Sequence, residues 1–183
     1  MDCPLTYHSC RKRECLLKPQ LLESIWCGPT LSGLEERVSV KLRHSETLKF
    51  DAEVDGRRIE LNSSKMLGRA FTPMELFLVA LAGCTAMDVQ WIMDKERQNV
   101  EKFNMTVNGI RRGEDPKYYE SIDIRYSFAG PDLRKDAVEH AIRLSLEKYC
   151  SVRAMVKDSV KLNITYTIAT GAQPETLYAY APS

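Results

Sequence analysis

From Val38 onward the chain alternates apolar and polar residues with a period of two: Val38, Val40 and Leu42 stand against Ser39, Lys41 and Arg43. Leu48, Phe50, Ala52 and Val54 then alternate with Lys49, Asp51 and Glu53. Asp55-Gly56 supplies the positive backbone angles of a tight hairpin turn, and Ile59 and Leu61 resume the pattern before Asn62-Ser63-Ser64 ends it. This predicts a meander of two or three antiparallel strands.

The period changes at Thr72-Pro73-Met74-Glu75. Thr72 suits a helix N-cap, Pro73 the first helical position, and Glu75 stands three residues after the cap to close a capping box. The helix should run to about Arg97. Its first half, with Leu76, Phe77, Val79, Ala80, Leu81 and Ala82, is apolar nearly all round, which predicts burial on most sides at the centre of a fold or an oligomer.

Two further strands are expected at Phe103-Met105-Val107-Ile110 and Ile122-Ile124-Tyr126-Phe128, joined by a polar loop from Arg112 to Lys117. Gly130-Pro131-Asp132 opens a second helix in which Leu133, Ala137, Val138, Ala141, Ile142, Leu144 and Leu146 keep the helical period up to Tyr149. A short third helix follows from Ser151 to about Lys157, and a last strand from Asp158 to Ala169. This order predicts an α+β domain with a largely antiparallel sheet. Residues 1 to 35 show no sustained period and read as an extension; residues 36 to 170 form the domain, and 171 to 183 a loose tail.

At 183 residues the chain can bury one substantial core. Its 26 Lys and Arg against 25 Asp and Glu leave no basic excess for nucleic acid. The clearly apolar run Leu76 to Ala82 is short for a membrane span, and Arg11, Lys12, Arg13 and Glu14 occupy the place of a signal peptide's apolar core, so the expectation is a cytoplasmic protein without membrane partners. No glycine-rich phosphate loop stands at a strand-to-helix junction, and no cofactor is expected.

Six cysteines are too few for a secreted disulfide scaffold. Cys3, Cys10, Cys15 and Cys27 lack the paired spacing of a zinc knuckle, and no metal is expected there. Three histidines offer no metal spacing; His140, inside the second helix, reads as packed or solvated. No G-x-S-x-G elbow provides a serine nucleophile.

What remains is thiol chemistry at Cys84 and Cys150. Both also fit the description of small buried hydrophobes. A reactive thiol needs positive potential. Cys150, at the start of the short helix and near Lys148 and Arg153, is by local sequence the better thiolate. Cys84 is mid-helix with Asp88 one turn on, so a cation must reach it from Arg43, Arg57, Arg58, Arg69 or a second subunit.

The stretch from Pro73-Met74-Glu75-Leu76 through Ala82-Gly83-Cys84-Thr85-Ala86-Met87-Asp88, with Tyr149-Cys150-Ser151-Val152, resembles the two cysteine signatures of the OsmC/Ohr superfamily, the osmotically induced and organic hydroperoxide resistance proteins. The order of strands and helices from Val38 to Ala169 is similar as well. The resemblance implies an OsmC-like fold and an intertwined homodimer whose sheets wrap two long central helices, with active sites at the subunit interface. It also implies thiol-dependent reduction of organic hydroperoxides, in which Cys84 attacks the peroxide, Cys150 resolves the sulfenic acid as a disulfide, and an external dithiol restores both. The alternative on the same fold is a non-catalytic dimeric binding or redox-sensing protein. Family peroxidases place a glutamate directly after the proline of the first motif; here Met74 stands there and Glu75 one position later.

Overall fold

A computed structural model describes residues 38–63, 70–170 and 176–180. The cysteines of the N-terminal extension and Arg69 lie outside the described residues. The first three strands, β1 (Lys41–Glu46), β2 (Lys49–Val54) and β3 (Arg57–Asn62), form the expected antiparallel meander in the order β1-β2-β3. Asp55 (φ 49°) and Gly56 (φ 77°) make the β2–β3 turn. Register places Leu42, Ala52 and Ile59 in one row and His44, Phe50 and Leu61 in the next, so these side chains share a face. The other face carries Lys41, Arg43, Asp51, Glu53 and Arg58. The apolar face is largely uncovered: Leu42 is 60% and Ile59 43% exposed.

The long helix α1 (Pro73–Lys95) starts as the sequence predicts. Thr72 accepts from the Glu75 N–H at 3.2 Å, and the Glu75 carboxylate accepts from the Thr72 N–H at 2.9 Å. The second sheet contains β4 (Lys102–Arg111), β5 (Tyr119–Ala129), β6 (Lys161–Ala169) and β7 (Thr176–Tyr180) in the order β4-β5-β6-β7. All its pairings are antiparallel except β5 with β6, which is parallel. A parallel pair needs a crossover. That crossover is α2 (Lys135–Leu144), a widened π-helical turn at Ser145–Tyr149, and α3 (Ser151–Ala154).

The core lies where Ile122, Ile124, Tyr126 and Phe128 of β5 and Ile164, Tyr166 and Ile168 of β6 meet Leu81, Val89, Ile92 and Met93 of α1 and Val138, Ala141 and Ile142 of α2. Strand alternation and helical period both point these residues inward. Near the start of α1, Tyr119 donates its hydroxyl to the Met74 carbonyl at 2.8 Å. Its ring occupies the space over Gly109, where a Cβ would come within 2.4 Å of it. The far end of α1 is tied down by a His140 Nδ1 to Glu96 contact, so His140 is a structural residue bridging α2 and the end of α1.

Two expectations are corrected. Thr176–Tyr180 is not loose: β7 pairs with β6, and Tyr178 stacks on Tyr166 with centroids 4.9 Å apart. Burial of α1 on most sides does not hold within one chain. Leu81, Thr85, Val89, Ile92 and Met93 are buried, whereas Val79 (55%), Met87 (75%) and Trp91 (47%) on the opposite side are exposed. Among the described residues, the second sheet and the crossover cover one side of the helix. At 23 residues α1 is also long and apolar enough to cross a membrane by length and composition, because its apolar character continues past Ala82; here that character serves docking onto the second sheet.

Candidate active site

The crossover brings Cys150 to α1. Ser145, which falls in phase with the buried positions Ala141 and Ile142 of α2, is itself fully buried. Its hydroxyl contacts two groups of α1, donating to Asp88 Oδ2 at 3.1 Å and approaching the Thr85 carbonyl at 3.4 Å. The π-helical turn ends with the Cys150 N–H bonded to the Ser145 carbonyl at 2.8 Å. Such widened turns shift the following residue relative to an ordinary helix. Cys150 then caps α3, its Sγ accepting from the Arg153 N–H at 3.2 Å.

The result is convergence. Cys84 Sγ, Cys150 Sγ and an Asp88 carboxylate oxygen all lie within 4.8 Å of one another. Cys84 is partly exposed and Cys150 is buried, at 4%. On α1, Cys84 sits on the flank between the buried stripe and the open one, as 100° per residue places it. Both cysteines are free thiols in this structure.

The electrostatics overturn one expectation. Burial, contact with Cys84 and the nearby Asp88 push the Cys150 thiol up from 9.0 to about 12, and the Arg153 N–H opposes this only in part. The capping position therefore does not make Cys150 a thiolate; desolvation outweighs the hydrogen bond that the cap supplies. Its two sequence neighbours are occupied elsewhere. Lys148 stands over the Tyr149 ring, and the Arg153 guanidinium donates to the Val156 carbonyl. Burial also raises the Asp88 carboxyl, against the lowering effect of the Ser145 hydrogen bond.

Among the described residues, no arginine or lysine side chain is bonded to Cys84, Cys150 or Asp88. Arg57 pairs with Asp55 and Arg58 with Glu53 on the first sheet, and Arg43 lies on β1 opposite Asp51. Glu75 bonds the Thr72 cap, and Met74 lines an apolar cavity of about 160 Å³ with Phe77, Tyr119, Ile122 and Val160.

Three residues at the site escaped the sequence reading. Thr85 is buried, and its hydroxyl donates back to the Leu81 carbonyl at 2.9 Å. Tyr126 is fully buried, and its hydroxyl faces the Thr85 side chain, whose hydrogen bonding offsets part of the rise that burial imposes on the phenol. Ser145 is the third; its only sequence signal is a hydroxyl in phase with a buried helix face.

Comparison with known proteins identifies the family. The family model for OsmC-like proteins matches residues 65–165, a span that includes both Cys84 and Cys150. The chain belongs to the OsmC-like protein family. This OsmC-like chain is 38% identical to Protein YhfA of Escherichia coli K12 over 100 residues, 55% of this chain and 75% of that one. A hypothetical protein from Aquifex aeolicus is 35% identical in sequence and superposes with a TM-score of 0.67, covering 75% of this chain and 99% of the other. The fold is shared by an organic hydroperoxide resistance protein OsmC from Legionella pneumophila, at 14% identity and a TM-score of 0.58, over 75% of this chain and 99% of that one.

Proposed function

We propose that this OsmC-like protein is a thiol-dependent reductase of organic hydroperoxides, acting in defence against oxidative stress through Cys84 and Cys150. The observation that carries the reading is the approach of the two sulfurs to within 4.8 Å from separate elements. An S–S bond of about 2.05 Å then requires roughly 2 to 3 Å of closure, within reach of side-chain rotation and a small shift of the widened turn. Several relatives of the same fold carry the name organic hydroperoxide resistance protein.

The difference in burial supports a division of roles. Cys84 is the partly exposed sulfur and attacks; its thiolate displaces alkoxide from the peroxide O–O bond and becomes a sulfenic acid, and the alkoxide takes up a proton to leave as alcohol. Cys150 holds its proton tightly and resolves. Its sulfur forms the disulfide with Cys84 as the sulfenic oxygen departs with the Cys150 proton as water. An external dithiol exchanges with the disulfide, returning two thiols and becoming oxidised itself.

The working unit in this proposal is a homodimer. Val79, Met87 and Trp91 on α1 and the apolar face of the first sheet are the surfaces a second copy would cover. Cys84, on the flank of that open stripe, would then meet groups from the partner, including the cation its own chain does not supply among the described residues.

A second reading has its own support: with Met74 in the glutamate position and Glu75 held at the cap, the fold could serve as a dimeric redox sensor or binding protein. Turnover separates the two. Sustained consumption of an organic hydroperoxide with a dithiol, lost in Cys84→Ser, is expected of the reductase; a single stoichiometric oxidation without turnover would reject it in favour of the sensor. A sulfenic-acid probe should label the wild type and not Cys84→Ser, and equal labelling would rule out Cys84 as the attacker.

A further inference from the structure

Cys84, Asp88 and Cys150 have a property that the peroxide reading does not use. They are two soft donors and one hard one converging on a common point, and each is an anion when it coordinates. We propose that the reduced chain binds one thiophilic divalent cation of the Zn2+ class through Cys84 Sγ, Cys150 Sγ and an Asp88 carboxylate oxygen.

The geometry is close to what such an ion needs. The three donor atoms lie within 4.8 Å of one another. Tetrahedral zinc, with Zn–S near 2.3 Å and Zn–O near 2.1 Å, separates its ligands by about 3.5 to 3.8 Å, so a contraction of about 1 Å closes the site. Cys84 and Asp88 are four residues apart on α1 and project from adjacent turns, the same spacing that lets one helix supply two ligands in zinc enzymes. The third ligand comes from the crossover.

The surrounding contacts are those that metal ligands carry. Ser145 donates to Asp88 Oδ2 and leaves the other carboxylate oxygen for a cation, and the Arg153 N–H supports the Cys150 sulfur. Cysteine and carboxylate ligands coordinate after losing their protons, so binding exchanges two thiol protons for one dication. Since no described lysine or arginine side chain is bonded to these groups, a bound cation is what would balance them.

Three protein ligands leave a fourth position for water.

The site does not depend on peroxide reduction, although it uses the same sulfurs. A Cys84–Cys150 disulfide removes both soft ligands, so the metal-bound and disulfide states exclude each other.

The test uses the full reduced chain titrated with Co2+, which reports thiolate ligation by charge-transfer absorption, followed by Zn2+. The expected result is one Co2+ per chain with a charge-transfer band, displaced by Zn2+. That band should be unchanged when Cys3, Cys10, Cys15 and Cys27 are all serine and absent in Cys84→Ser and in Cys150→Ser. Ser145→Ala should weaken binding by about tenfold or more, as loss of an orienting partner does elsewhere. In the unmutated chain, Zn2+ should shield both Cys84 and Cys150 from alkylation, read by peptide mapping, which keeps the test independent of how the variants fold. Absence of a charge-transfer band, a band that follows the N-terminal cysteines, or alkylation unaffected by Zn2+ would overturn the site. Hydroperoxide turnover by chelator-treated protein that binds no Co2+ would reject the metal site and leave the reductase standing; Co2+ binding without turnover would do the reverse.

Discussion

Ser145 donates its hydroxyl to Asp88 Oδ2 at 3.1 Å, joining the turn that precedes Cys150 to the helix that carries Cys84. Because Ser145 is fully buried and belongs to the widened turn, this bond fixes how far the crossover stands from α1. The spacing of the two sulfurs follows from that distance.

Ser145→Ala should therefore cost stability as well as geometry. A hydrogen bond to a charged partner contributes about 1.5 to 3 kcal/mol; this one is part-buried and belongs at the lower end, and its loss leaves the carboxylate without that donor. Urea unfolding of Ser145→Ala, Asp88→Ala and the double variant should give a coupling energy of about 1 kcal/mol or more. Additive effects would show that the contact carries no energy.

The thiol of Cys150 offers a pH test. With its pKa raised from 9.0 to about 12, it stays protonated at neutral pH. Desolvation is the main cause, so unfolding removes the shift. In chelator-treated native protein, the rate of Cys150 alkylation should keep climbing beyond pH 10. In urea it should level off near the ordinary thiol value. The sign for stability follows: the folded state holds this proton more tightly, so the contribution is complete below pH 9.0 and is lost as pH rises toward 12. A native profile that levels off below pH 9 would contradict the assignment.

The open stripe of α1 predicts an oligomer. Trp91→Arg and Met87→Arg place a charge on exposed apolar positions of one chain, so a monomer would tolerate either with little loss. If a second copy covers the stripe, each substitution buries an unpaired charge and should shift the mass in sedimentation from dimer toward monomer. Identical masses for variant and wild type, both monomeric, would remove the interface.

Most of the fold was legible because local chemistry and tertiary contacts agree. The Thr72 capping box, the Asp55-Gly56 turn and the alternation through Ile122, Ile124, Tyr126 and Phe128 each appear where the sequence places them. The failures have physical causes. The strand Thr176–Tyr180 is short and apolar only at intervals, and it is secured by pairing with β6, which local pattern cannot reveal. The apolar circumference of α1 signals burial but does not say whether one chain or two provides it. At the site, the cysteines were visible and their environment was not. Cys150 does cap a short helix as expected, yet its thiol is governed by desolvation, which depends on residues remote in sequence. Ser145 and Tyr126 matter because of what they face, and no motif marks them.

The most direct test of the central claim is the product of oxidation itself. Reduced full-length protein treated with one equivalent of an organic hydroperoxide should yield, on non-reducing peptide mapping, a single bridge joining Cys84 to Cys150 that a dithiol reverses. A bridge to Cys3, Cys10, Cys15 or Cys27 in its place, or Cys84 held as a sulfenic acid with Cys150 left as a free thiol, would contradict the account.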